Sequence, residues 1–121
     1  MSNEIKSKYD LEERTGKFGE EIINFCKKIP LNPITIPLIT QLIKSSTSIG
    51  ANYCEADCAE TKKDFEHKIG ICKKESKEAR HWLRMIAKAV PELKDEIRKY
   101  WKEANELNLI FSAIINKSKR K

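Results

Sequence analysis

The sequence predicts an all-α protein: an up-down-up-down antiparallel four-helix bundle with left-handed supercoiling. Three observations carry that expectation. Apolar residues recur at alternating spacings of four and three through four successive segments, which puts one side chain per turn on a single helical face. Only four glycines and four prolines interrupt 121 residues that are 40% hydrophobic and 35% charged, a balance suited to long solvated helices. The connections are a few residues long, so each helix must return beside its predecessor. A hydrophobic period of about 3.5 residues predicts left-handed winding with crossing angles of about 20°.

In the first segment, Leu11, Thr15, Phe18, Ile22, Phe25 and Ile29 form the apolar seam, ending before "PLNP". Thr35 is expected to cap the second helix with Pro37 in its first turn, and Ile39, Leu42, Ser46, Ile49, Tyr53 and Ala56 continue the alternation to about Cys58 or Glu60. "TKKD" offers Thr61 as the next cap, followed by Phe65, Ile69, Cys72, Ser76, Ala79, Leu83 and Ile86. Pro91 restarts the chain, and Leu93, Ile97, Tyr100, Ala104, Leu107, Phe111 and Ile114 make the fourth seam. The reading is one domain over 1–121, with a flexible start at about 1–8 and a frayed basic tail at about 117–121.

No apolar run approaches the length of a membrane span, and "MSNEIKSKYD" lacks the apolar core of a signal peptide. A cytoplasmic protein without a membrane partner is expected. Cys26, Cys54, Cys58 and Cys72 lie within helical patterns rather than a secreted disulfide framework, and read as reduced, small core residues.

"SSTSIGANYCEA", residues 45–56, is the unusual stretch. Gln41, Ser45, Ser48, Asn52 and Glu55 make a polar stripe one register away from the apolar seam. Gly50, which costs about 1 kcal/mol in a helix interior, predicts close approach by another backbone. Hairpin geometry sets Arg14 within reach of Glu55, Glu75 at the level of Ser45 and Lys68 at that of Asn52. Arg14, Ser45, Ser48, Asn52, Glu55, Glu75 and Glu78 are therefore expected to form a polar network that selects helix register rather than a catalytic site. Within it, Glu55 and Asn52 should be largely buried.

Catalytic and metal signals are weak. Cys54 and Cys58 share a helix face with no C-x-x-C pair, and E-x-x-H occurs once, at Glu78 and His81, without the second copy that di-iron bundles carry. No P-loop, dinucleotide fingerprint or nucleophile elbow is present. No enzyme activity, metal or cofactor is expected.

The net charge of +6 is organised. Lys73, Lys77, Arg80, Arg84 and Lys88 form a basic stripe on the third helix, Lys94, Arg98 and Lys102 a second on the fourth, and Lys117, Lys119, Arg120 and Lys121 a basic tail. Such stripes can track phosphates of RNA or DNA, without sequence preference and with strong salt dependence. The competing view is a solvated face with intrahelical pairs, on a protein-interaction scaffold whose charge serves only solubility.

The combination "YDLEERTGKF", "QLIKSSTSIGANYCEA" and "TKKDFEHKIGICKKESKEARHWL" resembles the four-helix bundle family encoded in intervening sequences of bacterial 23S ribosomal RNA genes. The S-I-x-A-N-x-x-E-A element falls on Ser48, Ile49, Ala51, Asn52, Glu55 and Ala56. The K-E-x-x-E-x-x-x-W-L element falls on Lys74, Glu75, Glu78, Trp82 and Leu83. The resemblance implies a homo-oligomer, with a ring-like pentamer the specific expectation and a dimer the runner-up, and no catalytic activity. The similar accessory proteins of diversity-generating retroelements bind nucleic acid and a reverse transcriptase, which implies that partner where the gene lies in a retroelement. The ribosomal-protein label attached to such proteins reflects gene position and implies no ribosomal role. Trp82, Trp101 and Ile110, with Leu109 and Ile115, lie off the main seams and are expected at the oligomer interface.

Overall fold

Asp10 opens the first helix by accepting a hydrogen bond at 3.2 Å from the Glu13 backbone N–H, and Glu12 and Glu13 add negative charge to the first turn. The computed structural model describes residues 10–120. Four long helices follow: α1 (Leu11–Cys26), α2 (Thr35–Asp57), α3 (Lys62–Ala89) and α4 (Lys94–Lys119), the last entered through a 3₁₀ turn at Pro91–Leu93. The described residues contain no strand, and no helix among them is long and apolar enough to cross a membrane.

The seams read from spacing form the core. Phe18, Ile22, Phe25, Leu42, Ile49, Ile69, Leu83, Ile86, Leu107 and Phe111 are all essentially inaccessible. Burying one such side chain contributes about 1.5–3 kcal/mol, so this shared core dominates the stability of each helix. Ile29 remains buried although α1 ends three residues earlier, and thereby ties the turn to the core.

The turn before α2 differs from expectation. Asn32 is the capping residue, its Oδ1 accepting from the N–H groups of Ile34 and Thr35 at 2.9 Å. Thr35 instead occupies the first helical position, buried, with its hydroxyl donating back to the Pro30 carbonyl at 2.5 Å. Thr61 does cap α3, accepting from Asp64 N–H at 3.0 Å.

Specific contacts set how neighbouring helices meet. A Cβ on Gly50 would lie 3.5 Å from the Gly16 nitrogen, the close approach that this glycine predicts, while Gly19 lies against Ser46 and Thr47. Cys72 donates to the Ile49 carbonyl across α2 and α3. Arg80 bonds Asn105, and Asn108 Nδ2 donates to the Lys73 carbonyl at 2.7 Å, across α3 and α4. At the far end of that pair, Ser118 donates to Glu66 at 2.6 Å. The chain is therefore helical through Lys119, and the expected fraying at Lys117 and Lys119 is corrected: their turn is pinned to α3. The expected flexible start and Lys121 lie outside the described residues.

Between α1 and α4 the contact is mostly polar. Phe25 and Tyr100 pack with ring centroids 5.1 Å apart, Lys28 pairs with Glu96, and Arg14 reaches Glu103 and Glu106.

Candidate nucleic-acid interface

The expected polar network is not a single network. Three of the stripe's side chains on α2 bond their own helix: Ser45 donates to the Leu42 carbonyl at 3.2 Å, Ser48 to Lys44 at 2.6 Å, and Asn52 to Ser48 at 2.9 Å. Serine and asparagine can satisfy themselves on a preceding carbonyl, which gives a periodic stripe without interhelical partners. Ser45 is buried and Asn52 half-buried. Glu55, expected to be buried, has a side chain 58% exposed and pairs with Lys68 at 2.6 Å. Arg14 does not reach Glu55. Rotated towards α4, it makes two hydrogen bonds with Glu103 at 2.8 and 2.9 Å and an ion pair with Glu106 at 3.1 Å. The Glu103 bonds hold its pKa above the ordinary arginine value. Glu75 is half-buried, and desolvation, helped by the nearby charge of Glu78, raises its pKa; Glu78 itself is exposed.

Burial raises the Cys26 thiol to about 11 and the Cys72 thiol to about 12. Cys54 and Cys58 are exposed free thiols, a correction to their expected core position. No group of three His, Cys, Asp or Glu among the described residues is placed to hold a metal ion.

The off-seam apolar residues divide. Trp82, Ile110 and Ile115 are partly buried and pack against the core, closing its edges, and no acceptor among the described residues meets the buried Trp82 Nε1. Trp101 and Leu109 stay exposed, at 38% and 60%. Among the described residues the most exposed large apolar side chains are Leu31 and Ile34, at 73% and 67%, in the α1–α2 turn, with Ile36 nearby in the first turn of α2. Sequence reasoning missed these three: Leu31 and Ile34 precede α2 and carry no periodic signal, and Ile36, in its first turn, lies off the seam that begins at Ile39.

The two basic stripes converge between α3 and α4. Arg84 from α3 and Lys94, Arg98 and Lys102 from α4 surround an open groove of about 420 Å³ whose apolar part is Ala87, Ile97 and Trp101. No carboxylate lines it. Among the described residues Arg84, Lys94 and Lys102 have no ion-pair partner, and Arg98 meets only the exposed Asp95, at 3.6 Å. One turn further along, Arg80 places its guanidinium 5.4 Å from the Trp101 ring centroid while bonding Asn105. Lys88, Lys77 and Lys73 continue the exposed basic face along α3. Lys119 and Arg120 do not join the groove: 21 residues of helix separate Arg98 from Lys119, about 30 Å at 1.5 Å per residue. Trp101 as part of this site was missed, although its basic neighbours Arg98 and Lys102 were the available signal.

The cleft between α1 and α4 is of similar size, about 450 Å³, but has a different character, with Glu21, Glu103 and Glu106 among its cations. Its four cations, Arg14, Lys17, Lys99 and Lys102, are largely offset by those three carboxylates, two of which already pair with Arg14.

Comparison with known proteins places this geometry in context. The profile of the family described as 23S rRNA-intervening sequence protein matches residues 7–113. No curated protein matches the chain. A crystal structure of a protein of unknown function from the S23 ribosomal protein family of Bacteroides thetaiotaomicron is similar, with a TM-score of 0.75 and 26% identity, over 86% of this chain and 96% of that one.

Proposed function

The chain belongs to the 23S rRNA-intervening sequence protein family, and from that premise we propose that it is a non-enzymatic, homo-oligomeric accessory protein that binds nucleic acid without sequence preference. The observation that carries this reading is the groove between α3 and α4, where four cations gather with no carboxylate among them. A stripe neutralised by its neighbours would be a solvated surface; this one keeps its charge for an outside anion.

The accompanying architecture is an up-down-up-down bundle with left-handed winding, in keeping with the contacts between successive helices. Assembly is read as a ring, with a pentamer the specific proposal. Exposed Leu31, Ile34 and Ile36 favour burial against another protein surface, and a ring repeats a weak groove so that several contacts act together. The site of action is the cytoplasm, and a reverse transcriptase is a partner only where the gene lies beside one.

Nucleic-acid binding across a salt series tests the proposal. Neutralising four phosphates per groove predicts a slope of log K against log salt of about −3. The double variant Lys94→Gln/Arg98→Gln removes two contacts and should roughly halve it. No binding at low ionic strength to single-stranded or duplex nucleic acid would defeat the proposal. It would favour the second reading, a protein-interaction scaffold using the Leu31–Ile36 surface.

A further inference from the structure

We propose that the groove is a single-strand site in which an unpaired base stacks on Trp101 while Arg84, Lys94, Arg98 and Lys102 hold the flanking phosphates. This rests on the reading that the face binds nucleic acid, and adds what form of nucleic acid and by which contact.

Charge alone would not distinguish a single strand from a duplex. Trp101 does. Trp101 presents an indole 38% exposed among cations, an aromatic surface that phosphate contact alone leaves unused. Every unpaired base offers a π-face, and stacking on an aromatic side chain tolerates any sequence, whereas in a duplex those faces are covered by neighbouring base pairs. The indole is already ordered: Arg80 lies over it and is itself held by Asn105. Trp101 itself lines the groove, with Lys94, Ile97 and Arg98 preceding it along α4 and Lys102 following it. Arg80 is thus a positioning residue for the ring.

Spacing along α4 fits the same ligand. Lys94, Arg98 and Lys102 follow one another at four-residue intervals, about 6 Å of helix rise each. An extended strand with one phosphate per nucleotide can follow such a row while one base turns inward. The apolar part, Ala87 and Ile97, suits the edge of a base, and the groove volume of about 420 Å³ falls within the usual range for small-ligand sites.

The test compares a short oligothymidylate, an oligouridylate and a blunt DNA duplex of the same length at one low salt concentration, using the intact chain, Trp101→Phe and Trp101→Leu. The expected result is tighter binding of a single strand than of duplex, with quenching of tryptophan fluorescence that disappears in Trp101→Phe, where only Trp82 remains. Loss of one base stack predicts a single-strand affinity about tenfold weaker in Trp101→Leu, with duplex affinity little changed and partial retention in Trp101→Phe. Oligothymidylate against oligouridylate tells DNA from RNA, and either one behaving this way supports the site. Equal single-strand and duplex binding, unaltered in Trp101→Leu, would overturn the stacking site and leave the nucleic-acid reading standing. No binding of any probe would overturn both. Sedimentation of each variant completes the test: if Trp101→Leu loses binding because its assembly state changes, Trp101 is an assembly residue and the inference fails.

Discussion

Arg14 of α1 and Glu103 of α4 tie the first helix to the last, and breaking that link gives a measurable cost. Two charge-assisted bonds, at 2.8 and 2.9 Å, join side chains that are each 30% exposed. Hydrogen bonds to charged groups contribute about 1.5–3 kcal/mol, whereas exposed ion pairs contribute only about 0.2–1 kcal/mol. The half-covered geometry lies between those limits, so a coupling of about 1–2 kcal/mol is expected. With an unfolding entropy of about 0.25 kcal/mol/K for 121 residues, the loss corresponds to about 4–8 °C in Tm. Arg14→Met and Glu103→Gln preserve length and helix propensity, and a double-mutant cycle by urea denaturation isolates the pair. Arg14→Met should cost more than Glu103→Gln, because Arg14 keeps Glu106 when Glu103 is neutralised. Partial burial predicts that part of the coupling survives in high salt. A coupling below about 0.3 kcal/mol would refute the claim that these contacts close the α1–α4 side.

Glu75 has a raised pKa, so the native state binds its proton more tightly than the unfolded chain and ionisation opposes folding. Glu75→Gln should therefore be more stable than the parent at pH 7, with the gain vanishing as pH falls below the ordinary carboxylate range; pH-dependent denaturation checks this. A thiol reagent at mildly alkaline pH should label Cys54 and Cys58 rapidly, with Cys26 and Cys72 reacting only after denaturation, because burial holds their thiols at about 11 and about 12. Glu55→Ala should cost less than about 1 kcal/mol by thermal denaturation, as its Lys68 pair is exposed.

Periodicity made the core legible. Phe18, Ile49, Leu83 and Phe111 follow from spacing because a helix fixes locally which side chains share a face. Gly50 does lie against the α1 backbone as expected, although a Cβ there would sit at ordinary contact distance, so the approach does not itself require glycine. The partner of Arg14 was not readable. Whether its guanidinium turns to α2 or to α4 depends on how α1 is rotated about its own axis, a property of the whole packing. The serine and asparagine stripe misled for a different reason: a polar period resembles a network when each member is bonding its own preceding carbonyl. Cys54 was one position off the seam of Ile49, Tyr53 and Ala56, so its exposure followed from the same spacing that identified the core.

The carboxylates of α4 that pair across the structure all face α1, which explains how the fold can leave cations on the α3 side without losing cohesion. Glu103 and Glu106 meet Arg14 of α1 and Glu96 meets Lys28 just beyond it, so these three acids are used in closing the structure. Lys94 and Arg98 turn to the α3 side, where Arg84 adds like charge and no carboxylate enters. Had acids and bases alternated on both flanks, local pairing would have cancelled the field at the groove. Crowding four cations together costs some stability through self-repulsion, which an incoming polyanion would relieve. The pairs that close the structure and the cations offered to an anion therefore draw on largely different residues of one helix.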